Sequence, residues 1–158
     1  MKAGIGAILL LVAGAAFACT GRVVGVTDGD TIKVLCDRTE VKVRPAEIDA
    51  PERGQPFGAK AKVALSDLVF GREVRLDITD TDRYGRSIAR VWIGRTDANR
   101  EMIRRGYAWA YRKYLTDMTL LDDEAAAKRA RSGLWADADP MPPWEFRAQK
   151  RKKPNRGG

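Results

Sequence analysis

"GRVVGVTDGDTIKVLC", residues 21–36, decides the fold. Valines and isoleucines alternate with polar residues on both sides of Asp28-Gly29. That pattern predicts two short strands joined by a tight turn. Asp and Gly suit such a turn because both tolerate positive φ. The turn explains Asp28 and Gly29. It does not require Asp30, a carboxylate at the start of an otherwise apolar, β-branched strand.

Working outward, "TEVKVRPAEIDA" (39–50) carries Val41, Val43 and Pro45 at period two, and predicts a third strand running into the loop "DAPERGQPFG". Pro45 has no N–H to donate, so a bulge or an edge position is expected there. The period then changes. In "PFGAKAKVALSDLVFG" (56–71), Ala61, Ala64, Leu65, Leu68 and Val69 share one helical face, and Gly71 ends it. "REVRLDIT" and "SIARVWI" alternate like strands, joined by "DTDRYGR" (80–86). "DANREMIRRGYAWA" reads as a helix opened by Asp97 and stopped by Gly106; "DMTLLDDEAAAKRARSGLW" reads as another, closed by Gly133. The order is three strands, a helix, two strands and two helices. It predicts an α+β fold: a five-stranded Greek-key β-barrel of OB type with about three packed helices. Such barrels often bind nucleic acid, but a fold alone does not give a function.

Composition narrows the chemistry. The 158 residues include 29 basic and 21 acidic side chains, for a net charge of +8, and no histidine. The positive balance favours anionic partners. The absence of histidine removes Ser-His-Asp and Cys-His nucleophiles and most zinc sites. Hydrolysis would have to come from carboxylates, arginines, tyrosines and a hard, oxygen-liganded metal.

Residues 1–18 read as an export signal: a positive "MK", an apolar run shorter than the roughly 20 residues of a membrane span, and "AFA" before Cys19. A retained N-terminal anchor and a lipid-modified Cys19 are the alternatives. Residues 19–138 make one domain, with no membrane span expected in the mature chain. Residues 139–158 form a basic, Pro-containing tail expected to be disordered, with six of the last twelve residues basic. Cys19 and Cys36 flank the Asp28-Gly29 turn. In an exported, periplasmic or extracellular protein they are expected to form a disulfide; in a reducing compartment they would be ordinary small apolar residues.

Asp30 opens the second strand, and Asp49 and Glu52 follow the third in "IDAPE". If strands two and three are neighbours, the three carboxylates can meet at one end of the sheet, where a Ca²⁺ ion would relieve their repulsion. Taken singly, Asp49 could be a turn residue and Glu52 a solvated loop carboxylate. Arg44 ends the third strand and Arg86 ends "DRYGR". Either could be a surface arginine, but a guanidinium fork also matches a phosphate's oxygens.

"DGDTIKV", nine residues, "RPAEIDAPE", and then "DRYGRSIARV" resemble the thermonuclease family, the micrococcal or staphylococcal nuclease type, over about Gly21 to Trp135. The resemblance implies an OB-type barrel and a Ca²⁺-dependent nuclease acting on single-stranded or locally unpaired DNA and RNA and leaving 3′-phosphate ends. It implies Asp30, Asp49 and the Ala50 carbonyl as Ca²⁺ ligands, and Glu52 as the residue that orients or deprotonates water. Arg44 and Arg86 become the phosphate and transition-state arginines. Tyr111, Tyr114 and Arg83 become substrate contacts, although Tyr111 could equally be packed against a helix. No stable protein partner is implied. Pro45 and Glu47 depart from the family pattern. Pro45 could displace Arg44, and Glu47 could be a surface charge, an acid behind the site, or a restraint on Arg44. A non-catalytic nucleic-acid-binding barrel is the alternative function; a barrel bound to an anionic surface through its tail is a third.

Overall fold

The strand signals around Asp28-Gly29 become β1 (Phe17–Asp28) and β2 (Thr31–Cys36) in a computed structural model that describes residues 17–152. The proposed export signal falls almost wholly outside the described residues; Phe17 and Ala18 already lie in β1. β3 (Thr39–Pro45) follows, then the two-residue β4 (Ile48–Asp49), helix α1 (Gly58–Val69), β5 (Glu73–Thr81) and β6 (Ser87–Ile93). The short β7 (Thr96–Asp97) leads into α2 (Ala98–Arg104). β8 (Trp109–Ala110), α3 (Thr119–Arg129) and α4 (Pro143–Lys152) complete the chain.

β3, β2, β1, β5 and β6 are joined in that order, and β3 pairs with β6 in parallel to close a mixed five-stranded OB-type barrel. β1 serves two neighbours. Its first half pairs with β5, Phe17 opposite Ile78 through Arg22 opposite Glu73. Its second half pairs with β2, across register shifts between Val23 and Gly25 and between Val26 and Asp28. Such bulges bend a strand enough to pass from one wall of a barrel to the next. Inward residues Val23, Ile32, Val34, Val43, Leu76, Ala89 and Val91 are buried and form one core with Leu65 and Val69 of α1 and Met102 and Ile103 of α2. Cys19 and Cys36 are disulfide-bonded, with Cα atoms 6.3 Å apart.

Pro45 is the last residue of β3, beyond the β2 ladder, which ends at Val43 opposite Ile32. Its missing N–H therefore costs no β2 bond, and Ala46 N–H carries the seam onward to the Ala89 carbonyl at 2.8 Å. Gly29 departs from expectation. Neither Asp28 nor Gly29 has a positive φ. The turn needs glycine for space: a Cβ there would lie 2.7 Å from the Ala61 Cβ and 2.8 Å from the Ala50 Cβ.

The expectation of a disordered tail from residue 139 fails for residues 143–152, which form a fourth helix rather than the expected three. Pro143 is a preorganised first helical residue and is buried. Glu145 stands in the first turn and Lys150, Arg151 and Lys152 in the last, the charge order that the helix dipole favours. A second apolar cluster receives the helix: Trp109, Ala127, Leu134 and Trp135, with Phe57 and Trp144 packed against it.

Candidate active site

Asp30 is placed by the turn that made it look superfluous. Its N–H donates to Asp28 Oδ1 at 3.1 Å, while its own Oδ2 accepts from Ala50 N–H at 2.7 Å. The second bond ties the β1–β2 turn to the segment after β4. Asp49, the last residue of β4, is 1% exposed. β4 is held by β8, with Ile48 opposite Ala110 and Asp49 opposite Trp109. Ala110 N–H in turn donates to Glu124 Oε2 at 2.9 Å. Glu124 is a fully buried carboxylate that also takes Arg112 and Lys128. Burial alone would push its pKa up; the donors from Arg112, Lys128 and Ala110 pull it below the usual range.

Arg44 ends in the middle of this arrangement. Nη1 donates to the carbonyls of Ile48 (2.8 Å) and Pro45 (3.2 Å). Nη2 lies 3.1 Å from Asp49 Oδ1 and 3.3 Å from Asp30 Oδ2. The two carboxylates thus converge on one guanidinium nitrogen. Asp49 is held above the usual carboxylate range, by burial first and then by the charge of Asp30, against the opposing pull of Arg147 and Arg44.

Arg86 arrives across the barrel seam. Nε donates to Asp82 Oδ2 at 2.7 Å and Nη1 to Thr31 Oγ1 at 3.2 Å, next to Asp30 in the chain. Asp82 caps the turn by accepting from the N–H groups of Tyr84 and Arg86, and Gly85 supplies the positive φ of 77°. Arg83 stays on the surface with its Nη2 on the Tyr84 hydroxyl at 2.6 Å. Tyr111 is stacked on Trp144, with ring centres 5.7 Å apart and planes 6° from parallel. Tyr114 meets Tyr111 edge-on and is otherwise exposed. Glu52 lies on the loop after β4, and its Oε1 accepts from the same guanidinium, that of Arg147, that binds Asp49.

Glu47 does not approach Arg44. It binds Arg90 and takes the N–H groups of Thr116 and Asp117 at 2.6 and 2.7 Å, clamping the β3–β4 turn to the loop before α3. Its φ of 65° turns the chain between β3 and β4.

Three contributors were not read from the sequence. Asn99, 1% exposed, donates to the Ala46 and Ala89 carbonyls (2.9 and 3.1 Å) and accepts from Val91 N–H, fixing the turn that precedes Asp49. Tyr84, 68% exposed, packs beneath the guanidinia of Arg83 and Arg86; its place in "DRYGR" was a signal. The third is Arg147 of α4. Nη2 donates to Asp49 Oδ2 at 2.7 Å, and Nη1 to Glu52 Oε1 at 2.6 Å and Asp49 Oδ1 at 3.2 Å. Its hydrogen bonds to Asp49 lead the interactions that raise its pKa.

Among the described residues, no group of three or more His, Cys, Asp or Glu side chains forms a ready-made metal cage. Asp30 and Asp49 still fit a hard cation. Their donors are all oxygen, they converge on one point, and together they draw positive charge from two arginines. The remaining ligands would be a backbone carbonyl, Ala50 being the candidate, and water.

The family model described as staphylococcal nuclease homologue matches residues 42–137. The chain belongs to the staphylococcal nuclease family. It is 40% identical to the micrococcal nuclease of Shigella flexneri over 98% of this chain and 96% of that protein. An uncharacterized endonuclease of Haemophilus influenzae is 44% identical over 84% of this chain and 75% of its own. Protein ParB of Escherichia coli is 40% identical over 99% and 96%. Membership of a nuclease family makes the protein a nucleic-acid-hydrolysing enzyme. No helix among the described residues is long and apolar enough to cross a membrane.

Proposed function

We propose that this nuclease is an exported, Ca²⁺-dependent phosphodiesterase. It cuts single-stranded or locally unpaired DNA and RNA with little sequence preference and leaves 3′-phosphate ends. The observation that carries the reading is the meeting of Asp30 and Asp49 on Arg44, with Glu52 joined to Asp49 through Arg147 and Arg86 reaching the same strand end through Thr31.

Asp30, Asp49 and the Ala50 carbonyl would hold Ca²⁺, which when bound supplies charge stabilisation to the phosphoryl oxygens. Arg86 offers a planar fork to the phosphate, and its grip on Asp82 and Thr31 keeps that fork in place before substrate arrives. Arg44 fixes both metal-binding carboxylates and is itself 88% buried, so its first task is to preorganise them. Glu52, with a side chain 38% exposed, is the carboxylate within reach of solvent and takes the proton of the attacking water. Arg83 with Tyr84 on the β5–β6 turn, and Tyr114 with Lys113 before α3, offer exposed aromatic and cationic contacts for bases and phosphates. Little sequence preference follows, because these groups read phosphate and ring faces rather than base edges.

The test is digestion of single-stranded DNA by the purified chain in Ca²⁺ and in chelator, with end analysis of the products. Cleavage in Ca²⁺ alone, with 3′-phosphate ends, is expected. Folded protein that binds but does not cut in Ca²⁺ would mark a binding module instead. Ca²⁺ should also raise Tm by preferential binding to the folded state, and Asp49→Asn should abolish that rise.

A further inference from the structure

We propose that Arg147 is a positioning residue: it holds the Glu52 carboxylate in place for water activation. This rests on the nuclease reading above. Among the described residues, Arg147 is the side chain that hydrogen-bonds the Glu52 carboxylate, at 2.6 Å. The loop around Glu52 fixes only its backbone, through the bond from Glu52 N–H to Gln55 Oε1 at 3.0 Å. Without a partner, the carboxylate of a loop glutamate would sample several rotamers. The planar fork of Arg147 spans Glu52 and Asp49 at once and sets the distance between them.

The guanidinium is itself delivered rigidly. α4 docks by contacts that involve neither carboxylate. Trp144 stacks on Tyr111 and meets Trp109 edge-on at 5.6 Å. Gln55 Nε2 donates to the Met141 carbonyl at 2.7 Å, and Pro143 is buried. Gln55 therefore reads both sides: its oxygen holds the Glu52 backbone and its nitrogen holds the approach to α4. The helix is thus seated by contacts independent of Asp49, which keep Arg147 within reach of Glu52 when a cation takes Asp49. A segment of basic, tail-like composition thereby becomes a wall of the catalytic site.

The experiment is steady-state cleavage of single-stranded DNA at saturating Ca²⁺ by the full chain and by Arg147→Ala, Arg147→Lys, Glu52→Ala and the double variant. Arg147→Ala should lose about 10²-fold in kcat, the scale of a misplacement of about 1 Å, while KM moves by less than about threefold. Arg147→Lys should recover part of the rate. In the Glu52→Ala background, Arg147→Ala should cost nothing further, because its effect passes through Glu52. Metal-free urea unfolding of the full chain, Arg147→Ala, Glu52→Ala and the double variant should show coupling between the two residues. Near-UV circular dichroism from the Trp144 cluster should stay unchanged.

Wild-type kcat in Arg147→Ala would overturn the proposal. So would equal losses with and without Glu52, which would mark a merely structural role, or faster cleavage at limiting Ca²⁺, which would make α4 a plug. Folded wild-type protein that cuts nothing sinks the nuclease reading and the role of Arg147 with it; active wild type with an equally active Arg147→Ala sinks only the latter.

Discussion

Asp30 and Gly29 are neighbours with opposite kinds of constraint. Asp30 was visible in the sequence because a carboxylate opening an apolar strand has no conformational excuse. Gly29 was visible too, but for the wrong reason: its φ is ordinary, and the alanines that crowd it come from the loop after β4 and from α1. Close approach between segments distant in sequence leaves no local signature. Gly29→Ala is therefore expected to cost about 1–3 kcal/mol through overpacking, read as a lower urea midpoint at unchanged m-value. The shift should also move the Ala50 N–H away from Asp30 and lower activity beyond the stability loss.

At the scale of elements, β1, β2, β3, β5, β6 and the first three helices followed from period and caps. Asp97, for example, both opens α2 and accepts from Arg100 N–H, as its position before the helix implied. The positions of the five charged motif residues follow the same punctuation, at strand ends, beside turns, or, for Glu52, on the loop after β4. α4 was not legible in this way. Arg147, Lys150, Arg151 and Lys152 in a run that closes on Pro and Gly read as a solvated tail, and the anchor that overrides this is a pair of aromatic contacts to residues over thirty positions earlier. "PPWEF" (142–146) held the available clue, with proline at the first helical position and an aromatic after it. Trp144→Ala is expected to free the helix without unfolding the barrel. Hydrogen exchange should speed up over residues 143–152 alone, while nuclease kcat falls by about 10²-fold, since Arg147 loses its mount.

For the whole molecule, stability should depend on acid, with Glu47 and Glu124 the most buried of the carboxylates held low. Burial raises the pKa of Glu47 and of Glu124, yet hydrogen bonds overcome it in both: Asp117 and Thr116 N–H on Glu47, Arg112 and Lys128 on Glu124. Their folded values lie below the ordinary 4.5. The stabilisation they give is therefore fully present above that value and lost as pH falls through the folded values. Urea titrations should show stability declining below about pH 4.5. Glu124→Gln should be less stable at pH 7, by about 1–3 kcal/mol, the scale of charged hydrogen bonds to partners that are themselves nearly half exposed, and should decline less steeply in acid.

The parallel seam between β3 and β6 has a consequence for when this protein can act. Val43, Arg44 and Pro45 meet Ser87, Ile88 and Ala89 there, and the two motif arginines lie at or beside that three-residue contact. The sequence separates them by more than forty positions, so no hairpin or helix formed on the way to the native state can assemble them. Cutting power therefore requires a long-range pairing and not only the local elements. Regained activity on refolding should track closure of this seam rather than formation of the local hairpins.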